Sequence, residues 1–81
     1  MTPLQIRAGV VDALLQIAPE VDPGTLQPGQ PLRQQVDLDS MDWLNVILGL
    51  HARFGIDIPE ADYGRLTSID LIVSYLAARL R

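Results

Sequence analysis

The sequence predicts an all-α fold: a bundle of three main helices and one short third helix, with a long loop between the first two helices. Three observations carry that expectation. Apolar residues recur at three- and four-residue steps in three separate stretches. No stretch alternates with the two-residue period of a strand. Prolines and glycines cluster between the helical stretches instead of inside them. At 81 residues the chain has room for one domain, 1–81, and 48% apolar against 20% charged residues suffices for one thin core.

The first helix is expected over Pro3 to Ile17. Thr2 is a good N-cap, and Pro3 suits the first helical position, where a missing N–H costs nothing. Ile6, Val10, Ala13, Leu14 and Ile17 share one face, with Gln5, Asp12 and Gln16 opposite. From Ala18 to Asp39 four prolines and two glycines forbid a continuous helix. Leu26, Leu32, Val36 and Leu38 predict an ordered loop stapled to the helices, with one helical turn near Leu32 to Gln35.

The next helix is expected from Asp39 or Ser40 to Phe54. Asp39 would cap it, with Asp42 at the third position as a capping-box variant, and Gly55 would end it in a left-handed conformation. Ile56 to Pro59 reads as extended and Glu60 to Gly64 as a short turn. Thr67 is expected to cap the last helix, whose apolar stripe is Ile69, Ile72, Val73, Leu76 and Leu80. Arg79 and Arg81 would complement its dipole.

The helix ending at Phe54 is unusual. At about 100° per residue, Trp43, Val46, Ile47, Leu50 and Phe54 form a core stripe, and Met41, Leu44 and Leu48 form a second apolar strip beside it. Together they cover about 220°, where an ordinary surface helix needs little more than about 100°. Either the long loop folds over the second strip or the strip is open and docks partner proteins. Ser40 falls between the strips, at the positive end of the helix dipole, where a phosphate ester would meet free backbone N–H groups.

Composition excludes several functions. Without cysteine there is no disulfide framework, thiolate metal site or cysteine nucleophile, and a single histidine leaves no polyhistidine zinc site. Ten acidic residues against six arginines and no lysine leave a net charge of −4, which repels nucleic acid. No run of 18 apolar residues and no basic-then-apolar leader is present, so neither a membrane span nor a signal peptide is expected. The acidic balance suits a cytoplasmic protein with basic partners.

The run Val36-Asp37-Leu38-Asp39-Ser40-Met41-Asp42 resembles the attachment motif of acyl carrier proteins, whose central serine carries 4′-phosphopantetheine. Phe54-Gly55-Ile56-Asp57-Ile58-Pro59-Glu60 is similar to that family's segment between its second and third helices, and Leu66-Thr67-Ser68-Ile69 with Tyr75-Leu76 to its last helix. The resemblance implies a non-enzymatic, monomeric carrier. A phosphopantetheinyl transferase would move the arm from coenzyme A to Ser40, flanked by Asp39, Met41 and Asp42. Acyl-loading and acyl-transferring enzymes would then dock on Met41, Leu44 and Leu48, with Asp37, Glu60 and Asp62 as an acidic rim. The reactive thiol would arrive with the arm, which suits a chain that has none. Fatty-acid, polyketide or another specialised pathway would fit.

The sequence departs from the family pattern where carriers of primary fatty-acid synthesis have an acidic helix. It has Asn45, His51, Ala52 and Arg53 there, which weakens steering toward basic partners and points to a specialised pathway. Met41 stands in place of the usual leucine, a nearly volume-neutral change.

Other readings fit less well. An aminoacyl or peptidyl carrier usually has a glycine-rich lead into its serine, which Val36-Asp37-Leu38-Asp39 lacks. A helical adaptor binding a partner's helix would explain the wide apolar arc but not the Asp39-Ser40-Met41-Asp42 motif. A hydrolase using Ser40 and His51 would need them in contact, yet eleven residues of helix separate them by about 16 Å. A calcium loop starting at Asp37 fails at Met41, Asp42 and Leu48.

Overall fold

A computed structural model describes residues 1–80 of the chain. Helix α1 spans Pro3–Ile17, α2 is the single turn Leu32–Gln35, α3 spans Ser40–Phe54 and α4 spans Ile69–Arg79. Two 3-10 turns, Pro23–Thr25 and Glu60–Arg65, lie in the connections. The expected all-α bundle is the architecture observed. Arg81 lies outside the described residues.

Helix ends follow local chemistry. Thr2 and Gln5 form a reciprocal capping box at α1, where Thr2 Oγ1 accepts from the Gln5 N–H at 3.2 Å and Gln5 Oε1 accepts from the Thr2 N–H at 2.9 Å. Gly55 closes α3 at φ 67°, the left-handed conformation that costs glycine least. The start of α4 differs from expectation. Ser68, not Thr67, is its N-cap, with Ser68 Oγ accepting from the Leu71 N–H at 3.2 Å. Thr67 is held one residue outside the helix because its carbonyl accepts the Leu32 N–H at 2.8 Å.

One core gathers the expected stripes. Helix α1 packs against both α3 and α4. Ile6, Val10, Ala13 and Leu14 meet Val46, Ile47 and Leu50 of α3 and Ile69, Ile72, Tyr75 and Leu76 of α4 in a single buried cluster. Truncating any of the fully enclosed leucines, such as Leu50 or Leu76, would cost about 2–5 kcal/mol. Ile17, Val73 and Leu80 sit at its edge and are only half-buried.

The 18–39 connection is ordered for two reasons. Leu26, Leu32, Val36 and Leu38 are buried in the common core. Polar groups brace the rest. The Gln35 amide donates to the carbonyls of Gln27 at 2.9 Å and Gln30 at 3.0 Å, and its oxygen accepts the Gln27 N–H at 2.6 Å. The Asp70 N–H donates to the Pro28 carbonyl at 3.1 Å, tying the loop to the first turn of α4. The loop is thus held against the end of the bundle where α4 begins, and it leads directly into Ser40.

Candidate functional site

Ser40 is the first residue of α3, and its side chain is exposed. Leu38, buried two residues earlier, anchors the chain, so the site is presented by a fixed support. Asp39 is the N-cap, and its Oδ1 accepts the Asp42 N–H at 2.7 Å. The box is one-sided, since the Asp42 carboxylate makes no return bond to the Asp39 amide. The amides of Ser40 and Met41 have no partner within the helix, as holds for the first residues of any α-helix. They face the place where a group attached to Ser40 would sit. No hydrogen bond engages the Ser40 hydroxyl among the described residues.

The second apolar strip is open. Met41 is 66% exposed, Leu44 37% and Leu48 52%, while Val46, Ile47 and Leu50 of the same helix are almost fully enclosed. The long loop packs elsewhere, so it does not cover the strip. A shallow groove of about 310 Å³ continues past Leu48, bounded by His51, Asp57, Ile58, Pro59 and Tyr63.

The acidic rim divides in two. Asp37 and Glu60 are exposed. Asp62, expected as a free rim carboxylate, is instead engaged inside the fold. It accepts the Tyr75 hydroxyl at 2.6 Å and pairs with Arg79 at 3.6 Å and Arg65 at 3.8 Å. Arg65 is a neighbour three residues on in the same turn, but Tyr75 and Arg79 come from α4, out of reach of any local pattern. Burial, then the hydrogen bond to Asp62, raises the Tyr75 phenol above its ordinary value of 10.0.

Two side chains of the expected core stripe, Trp43 and Phe54, lie at the edge of the core. Trp43 is half-buried and not enclosed in the core. It lines a cleft of about 260 Å³ with Pro31, Arg33, Tyr63, Gly64 and Thr67, one helical turn after Ser40. Neither this cleft nor a role for Arg33 is legible in the sequence, because three separate segments build it. His51 faces no nucleophile. Its Nδ1–H donates to the Ile56 carbonyl at 2.8 Å, which closes the C-terminal end of α3.

The residues present fit a phosphopantetheine arm: an exposed serine whose hydroxyl makes no hydrogen bond among the described residues, on a capped helix start with free amides, and a cleft that begins at Trp43 one turn on. Among the described residues, no helix is long and apolar enough to cross a membrane.

Comparison with known proteins agrees. The family model described as "Phosphopantetheine attachment site" matches residues 9–76. The chain is 31% identical over 75 residues to acyl carrier protein 2, mitochondrial, of Arabidopsis thaliana, covering 89% of this chain and 60% of that protein. It is 28% identical over 72 residues to an acyl carrier protein of Campylobacter hominis, covering 89% of this chain and 85% of that one. A solution structure of a candidate acyl carrier protein from Anaplasma phagocytophilum superposes with a TM-score of 0.87 at 25% identity, covering 100% of this chain and 94% of that one. With an all-helical fold, a displayed serine and a family match over most of its length, the chain belongs to the acyl carrier proteins, non-catalytic proteins that carry 4′-phosphopantetheine.

Proposed function

We propose that Ser40 is the attachment residue, and that this carrier delivers acyl thioesters to the enzymes of a dedicated pathway. The observation that supports the first part most directly is the exposed Ser40 hydroxyl at the N-terminus of α3, beside an open strip of Met41, Leu44 and Leu48. When bound, the arm supplies a terminal thiol that holds the acyl group as a thioester. The residues of this chain do the rest. In the transferase reaction the Ser40 oxygen forms a phosphoester bond as the pyrophosphate of coenzyme A breaks. The nucleotide leaves, and the Ser40 proton passes to the transferase. Asp39 caps the first turn through the Asp42 amide, which fixes the helix start on which Ser40 is exposed.

The same carrier would present its cargo through the apolar strip. Asn45, His51, Ala52 and Arg53 are all exposed on α3, where a steering field of carboxylates would otherwise stand. Neither Arg53, paired with Asp12 at 3.6 Å, nor His51, bonded to the Ile56 carbonyl, supplies a carboxylate for a basic partner. Recognition then rests more on shape and apolar contact than on long-range attraction, which suits a few dedicated enzymes over many. Asp37 and Glu60 remain as exposed rim contacts. We place the protein in the cytoplasm on its acidic balance, although two relatives are named as mitochondrial.

Incubation with coenzyme A and a broad-specificity phosphopantetheinyl transferase, followed by intact mass, tests the attachment. One phosphopantetheine should add, and Ser40→Ala should abolish the addition. An unchanged mass in the unmutated protein would refute the Ser40 assignment. The mass of the thioester on protein purified from its native source would identify the pathway, and the common saturated acyl chains of primary fatty-acid synthesis would refute the specialised role.

A further inference from the structure

We propose that Arg33 is a positioning residue for the prosthetic arm: its guanidinium binds the phosphodiester on Ser40 and directs the arm into the cleft between Trp43 and Tyr63. The inference rests on Ser40 being the attachment residue and goes beyond it by assigning a role to a residue of the preceding loop.

Three observations carry it. The first is proximity. Arg33 Nη2 lies 3.5 Å from the Leu38 carbonyl oxygen, a long and weak hydrogen bond. Leu38 precedes Ser40 by two residues, at most about 7 Å of chain, so the carbonyl that the guanidinium touches lies within that reach of the attachment point. The second is availability. Among the described residues no carboxylate pairs with Arg33, whereas Arg53, Arg65 and Arg79 are each paired. Most of its five donors therefore remain for an anion, and a planar guanidinium can grip two phosphate oxygens at once.

The third is the cleft. Among the described residues Arg33 is the only charged one bordering it; Pro31, Trp43, Tyr63, Gly64 and Thr67 supply the rest. An apolar slot with one cation at its rim matches a chain that begins with a phosphodiester and continues through methylene and amide groups. Asp37, Asp39 and Asp42 surround Ser40 with negative charge, which by itself would push an attached phosphodiester away from the surface. Arg33 opposes that repulsion on the cleft side alone, and so it gives the arm a direction.

Trp43 is the only tryptophan and reports on the cleft. Apo and holo forms of the unmutated protein, Arg33→Gln and Arg33→Lys should be compared by tryptophan emission and by phosphorus NMR, with intact mass verifying each loading. Loading should shift Trp43 emission in the unmutated protein. Arg33→Gln should lose that shift and narrow the phosphorus line as the phosphodiester becomes mobile, and Arg33→Lys should restore part of both. Raising ionic strength in the unmutated holo protein should reproduce the Arg33→Gln spectra, which keeps the test valid even where the variant folds poorly. Mass gain with identical apo and holo emission, or with Arg33→Gln spectra matching the unmutated holo protein, overturns this proposal alone. No mass gain in the unmutated protein overturns the Ser40 assignment and this proposal with it.

Discussion

The Tyr75 hydroxyl donates a 2.6 Å hydrogen bond to Asp62, and Arg79 lies over the Tyr75 ring with its guanidinium carbon 3.4 Å from the centroid. One carboxylate thereby ties the 3-10 turn Glu60–Arg65 to α4. That turn contributes Tyr63 and Gly64 to the cleft lined by Trp43 and Arg33, so the pair sets the position of one cleft wall. Tyr75→Phe removes a bond to a charged acceptor but keeps the ring and its contact with Arg79. The expected loss is about 1–2 kcal/mol, measured by denaturant unfolding.

The same pair predicts a pH dependence. The Tyr75 phenol is raised above 10.0 in the folded state, first by burial and then by Asp62. The folded chain therefore holds this proton more tightly than the unfolded chain does. Its contribution to stability is complete below about pH 10 and is lost as pH rises from there through the higher folded value. Thermal unfolding midpoints should fall above about pH 10 in the unmutated protein and fall less steeply in Tyr75→Phe. Parallel declines would show that Tyr75 is not the group responsible.

Most of this bundle is written in local pattern. Thr2, Pro3 and Gly55 mark helix ends because capping and left-handed closure involve neighbours only, and the stripes on α1, α3 and α4 follow from periodicity alone. What was illegible depends on distant partners. Thr67 and Ser68 are both acceptable caps in sequence, and the bond from the Leu32 N–H to the Thr67 carbonyl favours Ser68. Asp62 resembles any exposed acid until α4 brings Tyr75 and Arg79 to it. Trp43 has core periodicity, but Arg33 and Tyr63 arrive beside it from separate segments and turn that surface into a cleft. The exposure of Ser40, Met41, Leu44 and Leu48 follows from helical periodicity because all lie on or at the start of one helix.

Asp39 caps α3, and one pair of substitutions tests whether it has a second role. Asp39→Ala removes the acceptor for the Asp42 amide and should cost about 1 kcal/mol. Asp39→Asn keeps an acceptor and should change stability by less than about 0.5 kcal/mol. If the carboxylate also helps present Ser40 to the transferase, Asp39→Asn should slow phosphopantetheine addition on the order of tenfold, the size of one lost charge-assisted bond. Unchanged addition by Asp39→Asn would confine Asp39 to capping.

Two glycines inside helices should respond to alanine with opposite signs. A methyl group on Gly9 would lie 2.6 Å from Phe54 Cζ and 3.2 Å from Arg53 Cδ. Overpacking of about 1–3 kcal/mol exceeds the gain in helix propensity of about 0.5–1 kcal/mol, so Gly9→Ala should destabilise by about 1 kcal/mol. On Gly49 the methyl group would meet only Ala13 Cβ, at an ordinary 3.7 Å. Gly49→Ala should therefore stabilise by about 0.5–1 kcal/mol. Denaturation midpoints at unchanged slope read both effects, and equal signs would contradict the close approach of α1 to α3 at Gly9.

Helix α3 also offers a test of docking with its own internal control. Leu44→Glu and Leu48→Glu place a charge on positions that are 37% and 52% exposed, where solvent accommodates it, so helical circular dichroism and stability should change little. Val46→Glu, on the same helix at 1% exposure, forces a charge into the core and should unfold the protein. If the strip docks partner enzymes, each exposed substitution removes an apolar contact of about 1.5–3 kcal/mol and adds an unpaired charge at the interface. The kcat/KM of a partner acting on the holo carrier should then fall about tenfold or more per residue, with CD spectra superimposable on the unmutated protein. Turnover unaffected by both substitutions would remove the strip from the docking surface, while loss of the fold would mean that Leu44 and Leu48 belong to the core after all.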